Sequence, residues 1–469
     1  MLVASALTER SPAGLAGEIS RLVREGALAP GDRLPTVREV SAALGVSAGT
    51  VAAAWRALAG AGIIVSRGRA GSFVRAEGGG SSRVHGMSGP GPEASVRLDL
   101  SLGTPDPALL PSLEAALTRV RPRADTGRYH DLPVLPELGE LLRETWPTSG
   151  VEAITVVDGA LDGIARTLEQ TVRFGDRVGV ESPGFPYVFD LLDALGAEVV
   201  ALSSDRDGVL PGSLARALDR GVVAVVLQPR AHNPTGASMP TERARHLARV
   251  VIEAPRGGDV LIIEDDHSAL IASAPDVSLA RWIPGQVVHV RGFSKSHGPD
   301  LRIAALGGPA RVVERIVERR MLGPGWTSRL LQTVLAHLLT EPGAIARVRT
   351  ARLVYRDRLD RVAGALGRLG FDVGEPDGIN LWLPVIDERA AILGLAAEGI
   401  AVAAGSPFVV GGSGSGSGLG PGSGLGPGSG LVSGPGFGGA VRVTAGAVVE
   451  NARLVAESLA RAASAPPLP

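Results

Sequence analysis

Short apolar segments alternate with helical segments along most of this chain, from Leu98 onward. This alternation restricts the fold more than any other feature, because strands that are each followed by a helix form a mostly parallel sheet covered by helices. The clearest predicted strands are Ala153–Val157, Arg177–Val180, Val222–Leu227, Val260–Ile263, Val287–Val290 and Ile303–Leu306. We therefore expect an α/β fold here, with ligands bound beyond the carboxyl ends of the strands.

Charge divides the chain into a small basic part and a larger acidic part. Residues 1–75 carry nine arginines and five acidic residues, a net charge of +4, whereas all 469 residues together carry −1. This length also predicts more than one domain, at roughly 100–200 residues each. A basic module joined to an acidic body favours a head that binds a polyanion.

Two segments rich in glycine, serine and proline interrupt the pattern. Residues 76–96 are too poor in apolar side chains to order themselves, and they predict a flexible linker between residues 1–75 and residues 97–469. Residues 411–439 contain 15 glycines and a GSGLGP repeat. We interpret this tract as a disordered surface loop of the larger domain, and contact with a partner is the alternative.

The composition makes several classes of protein unexpected. The chain has no cysteine, so disulfides and cysteine metal sites are excluded and a cytoplasmic location is favoured. No run of about 18 uncharged apolar residues occurs, and no export signal is recognisable. We therefore expect a cytoplasmic protein that has no membrane partner.

The basic part has the pattern of three consecutive helices. Apolar residues at helical spacing predict a first helix over residues 11–26. Thr36 and Glu39 form a capping-box pattern that begins a second helix, and Gly45 suits its left-handed end. Ser47 then caps a third helix. Two short helices joined by a tight turn predict a helix-turn-helix.

A predicted β-hairpin follows these helices. Residues 63–65 and 72–74 form its two strands, and Arg67 and Arg69 lie at the tip between them. The capped helices, the basic hairpin and the positive charge favour DNA as the partner. A small helical interaction domain is the alternative.

The run from GDRLPTVREV to RGRAGSFV resembles the winged helix-turn-helix of GntR-superfamily regulators, over residues 8–75. This resemblance implies a domain that binds double-stranded DNA, with phosphate contacts that position it and base contacts that supply sequence preference. The resemblance assigns Arg38, Ser47, Thr50 and Gly71 to DNA binding, and the basic residues Arg33, Arg67 and Arg69 of the same domain are further candidates.

Lys295 is the single lysine among the 47 lysines and arginines of the chain. A compositional preference for arginine explains why lysines are missing, but it does not explain why one remains. Arginine forms ion pairs as well as lysine does, yet it cannot form an imine with an aldehyde. The surviving amine therefore favours Schiff-base chemistry, and a structural ion pair is the alternative.

Polar and small residues follow the predicted strands, at the edge where ligands are expected. They are Asp158, Gly159 and Ala160 after the first strand, Asn233 after the third, Asp265, Asp266 and His267 after the fourth, and Ser294, Lys295 and Arg302 after the fifth. The first group begins a helix whose free N–H groups suit a phosphate. A metal site in the acidic group is an alternative, although consecutive residues of a strand do not all face one ion.

In this order, the NPTG run, the acidic strand end and SKSHGPDLRI resemble the fold-type I pyridoxal-phosphate enzymes of the aspartate aminotransferase group, across residues 97–469. The resemblance implies pyridoxal phosphate as cofactor, with Lys295 bound to it as an imine. It also implies that Asp265 keeps the pyridine nitrogen protonated. Arg442 in VRVTAG would bind a substrate carboxylate through two hydrogen bonds.

The same resemblance assigns further cofactor contacts. Asn233 and His267 would lie at the ring oxygen, where the family usually has tyrosine at the histidine position, and Phe185 would stack on the ring. The residues assigned to the phosphate are Gly159, Ala160, Ser294 and Arg302, with Tyr129 reaching the phosphate of a neighbouring subunit. A homodimer is therefore implied.

A winged helix-turn-helix fused to an aminotransferase-like body resembles the MocR subfamily of GntR regulators. This implies a transcription regulator whose body binds pyridoxal phosphate and senses an amino acid, an amine or the cofactor itself. One alternative is a working aminotransferase with an accessory DNA-binding head. Another is a DNA-binding protein whose vestigial body takes no cofactor.

Overall fold

The computed structural model describes residues 10–24, 27–29, 31–60, 63–66, 71–74, 96–120, 132–410 and 438–467. The predicted linker lies outside these ranges except for residue 96, and the glycine-rich tract lies outside them except for residues 438–439. Both remain predictions, as do the domain boundaries that they define.

The basic head consists of three helices and a two-stranded antiparallel hairpin. These elements are α1 Pro12–Arg24, α2 Val37–Leu44, α3 Ala48–Gly60, β1 Ile64–Ser66 and β2 Ser72–Val74. Apolar side chains from all of them meet in one small core, which includes Ile19, Val40, Trp55, Ile64 and Val74. The predicted winged helix-turn-helix pattern is therefore present in the described residues.

The caps of the head have the predicted chemistry. The Thr36 backbone N–H donates to the Glu39 carboxylate over 2.7 Å, and the Glu39 N–H donates to the Thr36 hydroxyl. Gly45 ends α2 in the left-handed region, at φ 64°. The Ser47 hydroxyl accepts from the Thr50 N–H over 3.0 Å at the start of α3. Side chains thus satisfy backbone donors that helix starts leave free.

The body of the chain alternates strands and helices, as the apolar pattern predicts. Its strands are β3 Leu98–Leu100, β4 Ala153–Val157, β5 Arg177–Ser182, β6 Glu198–Asp205, β7 Gly208–Val209, β8 Val222–Leu227, β9 Leu261–Asp266, β10 Val287–Gly292, β11 Ala304–Gly308, β12 Leu381–Val385, β13 Ile400–Ala404 and β14 Gly439–Val443. Its helices are α4 Glu114–Arg119, α5 Pro136–Glu144, α6 Ala160–Thr171, α7 Pro186–Leu195, α8 Pro211–Asp219, α9 Thr241–Glu253, α10 Ser294–His297, α11 Ala310–Met321, α12 Arg329–Thr340, α13 Pro342–Arg368, α14 Glu388–Ala397 and α15 Ala452–Ala463.

The larger sheet has the order β4-β11-β10-β9-β8-β5-β6-β7 within the described residues. The five strands from β10 to β6 in this order pair parallel, while β11 and β7 pair antiparallel with their neighbours. The prediction of a mostly parallel sheet covered by helices is confirmed. All six predicted strands are present, each within a few residues of its predicted ends.

β9 is longer than predicted, because it continues through the acidic residues that follow Ile263. Glu264, Asp265 and Asp266 are all buried within the strand. Arg230 and His289 supply the opposite charge and hydrogen bonds that burial of two of these carboxylates requires. A prediction from hydrophobicity alone ends the strand at Ile263, because the partners that allow the acidic residues to be buried come from distant segments of the chain.

A second, smaller sheet has the order β12-β14-β13-β3, and the apolar pattern did not predict it. Helices α13, α14 and α15 contribute to the apolar cluster that covers it. Arg442 lies on its strand β14, opposite Trp382 and Ala403. No helix in the described part of the chain is long and apolar enough to span a bilayer.

Candidate functional site

Lys295 lies one turn beyond β10, as the second residue of the short helix α10. It is half-buried, and its Nζ donates a hydrogen bond to the carbonyl oxygen of Gly103. Burial lowers the pKa of the Lys295 amine to about 8, and the positive charge of Arg442 acts in the same direction, against that of Asp265. At neutral pH a much larger share of this amine therefore lacks its proton than for an ordinary lysine, and the neutral form is the nucleophile.

Asp265 is buried near the carboxyl end of β9, and its two carboxylate oxygens differ. Oδ2 accepts a hydrogen bond from the Gln228 side chain over 2.7 Å. Oδ1 is fully buried and has no hydrogen-bond partner within the described residues. Burial raises the pKa of Asp265 to about 6, which leaves it largely ionised at neutral pH. An unpaired buried acceptor of this kind suits a cationic N–H donor.

Phe185 and Asp265 line the same cavity, together with Gln228 and Glu181. Phe185 precedes α7 and is half-buried, with its ring 5.1 Å from that of Tyr187. The cavity lining therefore combines apolar and aromatic side chains with a buried carboxylate, which suits an aromatic ring that carries a basic nitrogen.

Gly159 and Arg302 form a cradle at the start of α6. Gly159 has φ 103°, and a Cβ atom built on it would lie 2.9 Å from Nη2 of Arg302. Arg302 is exposed and donates to the Asp158 carbonyl over 3.3 Å. The Asp158 carboxylate is in turn bound by Arg320 at 3.0 Å and by Thr327 at 2.7 Å. The cradle combines a guanidinium with the N-terminus of a helix, which suits a phosphate.

Two further predicted phosphate residues lie beside this cradle. Ala160 is the first residue of α6, and its Cβ lies 3.6 Å from a Cβ built on Gly292 at the end of β10. Ser294 begins α10 directly after Phe293 and is half-buried. The structure thus brings the helix starts after β4 and β10 to the same edge of the sheet.

Arg442 reaches the same region from the smaller sheet. Its guanidinium donates to the Ser101 carbonyl and, over 3.5 Å, to the side-chain oxygen of Asn233, and it lies 5.2 Å from the centre of the Phe408 ring. Its buried Nε atom lacks a hydrogen-bond partner within the described residues. Burial lowers the pKa of Arg442 to about 10, so it remains a cation at neutral pH. A buried guanidinium with unused donors suits an incoming carboxylate.

His267 follows β9 and contacts protein groups at both ring nitrogens. Nε2 lies 3.1 Å from the Ala231 carbonyl, to which it donates, and Nδ1 lies 3.2 Å from the Ser268 hydroxyl. Burial lowers the pKa of His267 to about 4, and the charge of Lys295 adds to this effect. The ring is therefore neutral at pH 7, and its predicted contact with a ring oxygen stays a prediction.

The adjacent carboxylates of β9 face different partners, which bears on the alternative of a metal site. Asp265 contacts Gln228, whereas Asp266 forms a 2.6 Å ion pair with Arg230. Within the described ranges, no three histidine, aspartate or glutamate side chains are placed to hold one metal ion. Alternation of side chains along a strand explains why these neighbours do not converge.

Several residues of the site were not predicted from the sequence. Gly103 accepts from Lys295, Gln228 donates to Asp265, and Glu181 lies beside them in the cavity. Burial raises the pKa of Glu181 to about 8 and lowers that of its neighbour His232 to about 3. None of these residues stands in a motif, and their contacts join segments far apart in the chain.

Comparison with known families agrees with this division into head and body. Residues 97–418 match the model of aminotransferase class I and II, and residues 13–74 match bacterial regulatory proteins of the gntR family. The vitamin B6 salvage pathway transcriptional repressor PtsJ of Salmonella typhimurium is 36% identical over 84% of this chain and 91% of its own length. The chain belongs to the MocR subfamily of GntR-type regulators.

Other relatives of this MocR-type regulator combine the same two parts. The HTH-type pyridoxine biosynthesis transcriptional regulator PdxR of Corynebacterium glutamicum is 30% identical over 76% of this chain and 79% of its own length. Among solved structures, the aspartate aminotransferase of Thermus thermophilus covers 81% of this chain and 99% of its own, with a TM-score of 0.64 and 24% identity. This likeness shows an aminotransferase fold for the MocR body.

The predicted DNA-binding residues of the head that the structure describes are accessible. Arg33, Arg38 and Ser47 are exposed, and Thr50 is half-exposed. Arg33 lies against Gly71, where a Cβ would stand 3.0 Å from its Nε atom.

Three predicted residues fall outside the described ranges. They are Arg67 and Arg69 of the wing and Tyr129 of the body. Their roles remain predictions.

Proposed function

We propose that this MocR-type regulator binds pyridoxal phosphate in its body, binds DNA through its head, and responds to an amino acid, an amine or pyridoxal phosphate itself. The observation that carries the proposal is that Lys295 lies close enough to Asp265 and Arg442 for both charges to act on its amine, in a chain that also has a GntR-type head. The names of the relatives PtsJ and PdxR refer to vitamin B6 and pyridoxine, which supports pyridoxal phosphate as the ligand in this proposal.

The residues of the cavity fit pyridoxal phosphate. The buried, unpaired Oδ1 of Asp265 is an acceptor suited to a protonated pyridine nitrogen. The close approach of Gly159 and Arg302 leaves backbone N–H groups and a guanidinium for a phosphate. Lys295 provides the amine for an aldehyde. Each part of the cofactor therefore has a group of opposite or complementary character.

Bound pyridoxal phosphate supplies an electron sink that makes bonds to the α-carbon of an attached amine labile. The residues of this chain position what enters. Asp265, ionised at neutral pH, holds a proton at the ring nitrogen. Arg442 binds a carboxylate with its free donors, and Lys295 accepts or releases a proton at Nζ. Phe185 excludes water from one face of the ring.

A homodimer is part of the proposal. Leucine side chains are exposed on adjoining elements of the body: Leu117 on α4, Leu330 on α12 and Leu132, whose carbonyl accepts from Arg329. Exposed apolar patches of this kind mark protein interfaces. Light scattering of the purified protein measures whether two chains associate.

A working aminotransferase with an accessory head is the second candidate. The body keeps the amine, the pyridinium-type carboxylate and the guanidinium of Arg442, which are the groups that turnover needs. The neutral His267 in place of a tyrosine favours sensing, because it already donates to Ala231. Steady-state turnover with an amino acid and a keto acid measures this activity directly.

Three measurements on the full chain test the proposal together: the visible spectrum of the protein, footprinting on the DNA upstream of its gene, and turnover. We expect a visible cofactor band, a footprint that an effector alters, and slow or absent turnover. Robust turnover without DNA binding would favour the second candidate. A colourless protein that takes up no pyridoxal phosphate would favour a vestigial body.

Arg442→Leu should remove the response to amino acids. The guanidinium supplies charge-assisted hydrogen bonds worth about 1.5–3 kcal/mol, so the dissociation constant of a responsive amino acid should rise about tenfold or more. Spectral titration of the holoprotein measures this. The matched control ligand is the amine that corresponds to the amino acid without its carboxylate. It should bind the wild type and Arg442→Leu with equal affinity. An equal response of variant and wild type to the amino acid would contradict the role.

Capture of pyridoxal phosphate by the apoprotein should accelerate with rising pH. The pKa of Lys295 is about 8, because burial and Arg442 disfavour its charged form, and the neutral amine is the nucleophile. The rate constant should level off above this pH. In Arg442→Leu the midpoint should move upward, since a neighbouring positive charge is gone. A midpoint near that of free lysine, about 10.4, would contradict the assignment.

A further inference from the structure

Gln228 lines the cavity and lies five residues before the NPTG run, although it belongs to no motif itself. Its backbone N–H donates to the Glu181 carboxylate, and its side-chain NH₂ donates to Oδ2 of Asp265, both over 2.7 Å. Its side-chain oxygen accepts from the Asn233 N–H, also over 2.7 Å. One buried residue thus joins three elements of the site: its backbone N–H binds β5, and its side-chain amide binds β9 and the turn after β8.

The partners of Gln228 fix which way its amide points. The backbone N–H of Asn233 is only a donor, so the oxygen of the Gln228 amide must face it. The NH₂ group must then face Asp265, and Oδ2 of Asp265 must accept. Within the described residues, Gln228 provides the only hydrogen bond to this carboxylate. The amide therefore favours the ionised form of Asp265 and occupies one of its oxygens.

We infer that Gln228 is a positioning residue for the cofactor: it orients Asp265 so that Oδ1 meets the pyridine nitrogen, and ties it to the turn that carries Asn233. The inference rests on the proposed binding of pyridoxal phosphate. Gln228 itself touches neither the ring nor the phosphate in this role. It sets the distance between the residues expected at the nitrogen and at the ring oxygen.

Several charged or titratable groups surround Asp265 and must be considered in any test that varies pH. Glu181 faces it from β5, Asp266 neighbours it on β9, His289 lies on β10, and Lys295 lies on α10. These groups are common to the wild type and to variants of Gln228. Gln228→Leu adds no titratable group, so its pH profile shows the contribution of these neighbours when the donor is absent, and Gln228→Glu is compared with it at each pH.

Gln228→Glu and Gln228→Leu separate positioning from space filling. In Gln228→Glu two carboxylates face each other, and repulsion between them raises the pKa of one. Once the pair takes up a single proton, the new side chain regains a donor toward Asp265. In Gln228→Leu no donor returns at any pH. Gln170→Glu, near the C-terminal end of α6 and about 15 Å along that helix from the cradle, makes the same chemical change as a control.

The measurement is the dissociation constant of pyridoxal phosphate for the full-length apoprotein, from titrations between about pH 6.5 and pH 9. We expect Gln228→Leu to bind about tenfold or more weakly at every pH, as loss of a charge-assisted hydrogen bond predicts. Gln228→Glu should bind pyridoxal phosphate as weakly as Gln228→Leu at the alkaline end of this range. Its affinity should recover several-fold toward the acidic end. Gln170→Glu should match the wild type throughout, and melting temperatures of the apoproteins check that each variant is folded.

Failure of the inference differs from failure of the proposed function. If the folded wild type takes up no pyridoxal phosphate, the proposed function and this inference are both wrong. If the wild type binds pyridoxal phosphate and both Gln228 variants bind it as tightly as the wild type, the positioning role alone is overturned. The same holds if both variants lose affinity and the affinity of Gln228→Glu does not recover at acidic pH.

Discussion

Lys295→Arg should abolish the proposed covalent capture of pyridoxal phosphate: we expect the visible cofactor band to be lost and borohydride to fix no cofactor at this position. Arginine keeps the positive charge and the ability to donate to Gly103, so an ion pair or a structural hydrogen bond survives the change. It cannot form an imine. The loss of capture therefore separates Schiff-base chemistry from a structural role for Lys295.

The composition simplifies this experiment, because Lys295 is the only lysine in the chain and no other lysine can be labelled. Borohydride labelling of side chains should fall from about one cofactor per chain to none, because an imine needs a primary amine and Lys295 supplies the single side-chain one; peptide mapping separates this label from any on the α-amine. The matched control is the double variant Lys295→Arg with Arg349→Lys, which gains an ordinary exposed amine in place of the buried one. We expect this double variant to remain unlabelled. Stable labelling of the single variant would place the covalent attachment elsewhere.

The chemistry-bearing residues of the body were predictable because they stand in short motifs at strand ends. A parallel sheet gathers these ends at one edge, so Asn233, Asp265 and Lys295 could be expected together from their order alone. Arg442 could be predicted only through the family resemblance, since the smaller sheet that carries it was not recognised. Its strand, β14, follows the glycine-rich tract, and the local sequence pattern there does not predict which strands β14 pairs with.

The supporting residues could not be predicted, because their contacts depend on the folded chain. Gly103 meets Lys295 across 192 positions of sequence, and Gln228 meets Asp265 across 37. A glycine and a glutamine carry no periodic or charge signal. The apolar pattern predicts that the fourth strand ends at Ile263, whereas Arg230 and His289 from distant segments bind Asp266 and Glu264 and keep both within it.

The head was predicted closely, and there the reason is local. The capping box of Thr36 and Glu39, the left-handed Gly45 and the Ser47 cap each involve residues at most three positions apart or a single backbone angle. Such signals survive in the sequence because they need no tertiary partner. The wing strands Ile64–Ser66 and Ser72–Val74 are likewise close in sequence and pair directly.

Arg38→Ala should weaken DNA binding strongly while leaving the fold intact. Arg38 is exposed in the first turn of α2, where the helix dipole disfavours a positive charge. The side chain therefore contributes little to the stability of the head, which is what we expect of a residue kept for the predicted contact with DNA. Each DNA-contacting arginine is worth about 1–3 kcal/mol, so a dimer with two heads should lose at least about 30-fold in affinity.

The salt dependence of binding identifies the kind of contact that Arg38 makes. A phosphate contact should reduce the slope of log affinity against log salt by about one per head, with little change in sequence preference. A base contact should leave the slope unchanged and relax preference at one position. Arg349→Ala removes the same charge from an exposed position on α13 of the body and serves as the control. Equal affinity of the two variants for the footprinted DNA would remove Arg38 from the interface.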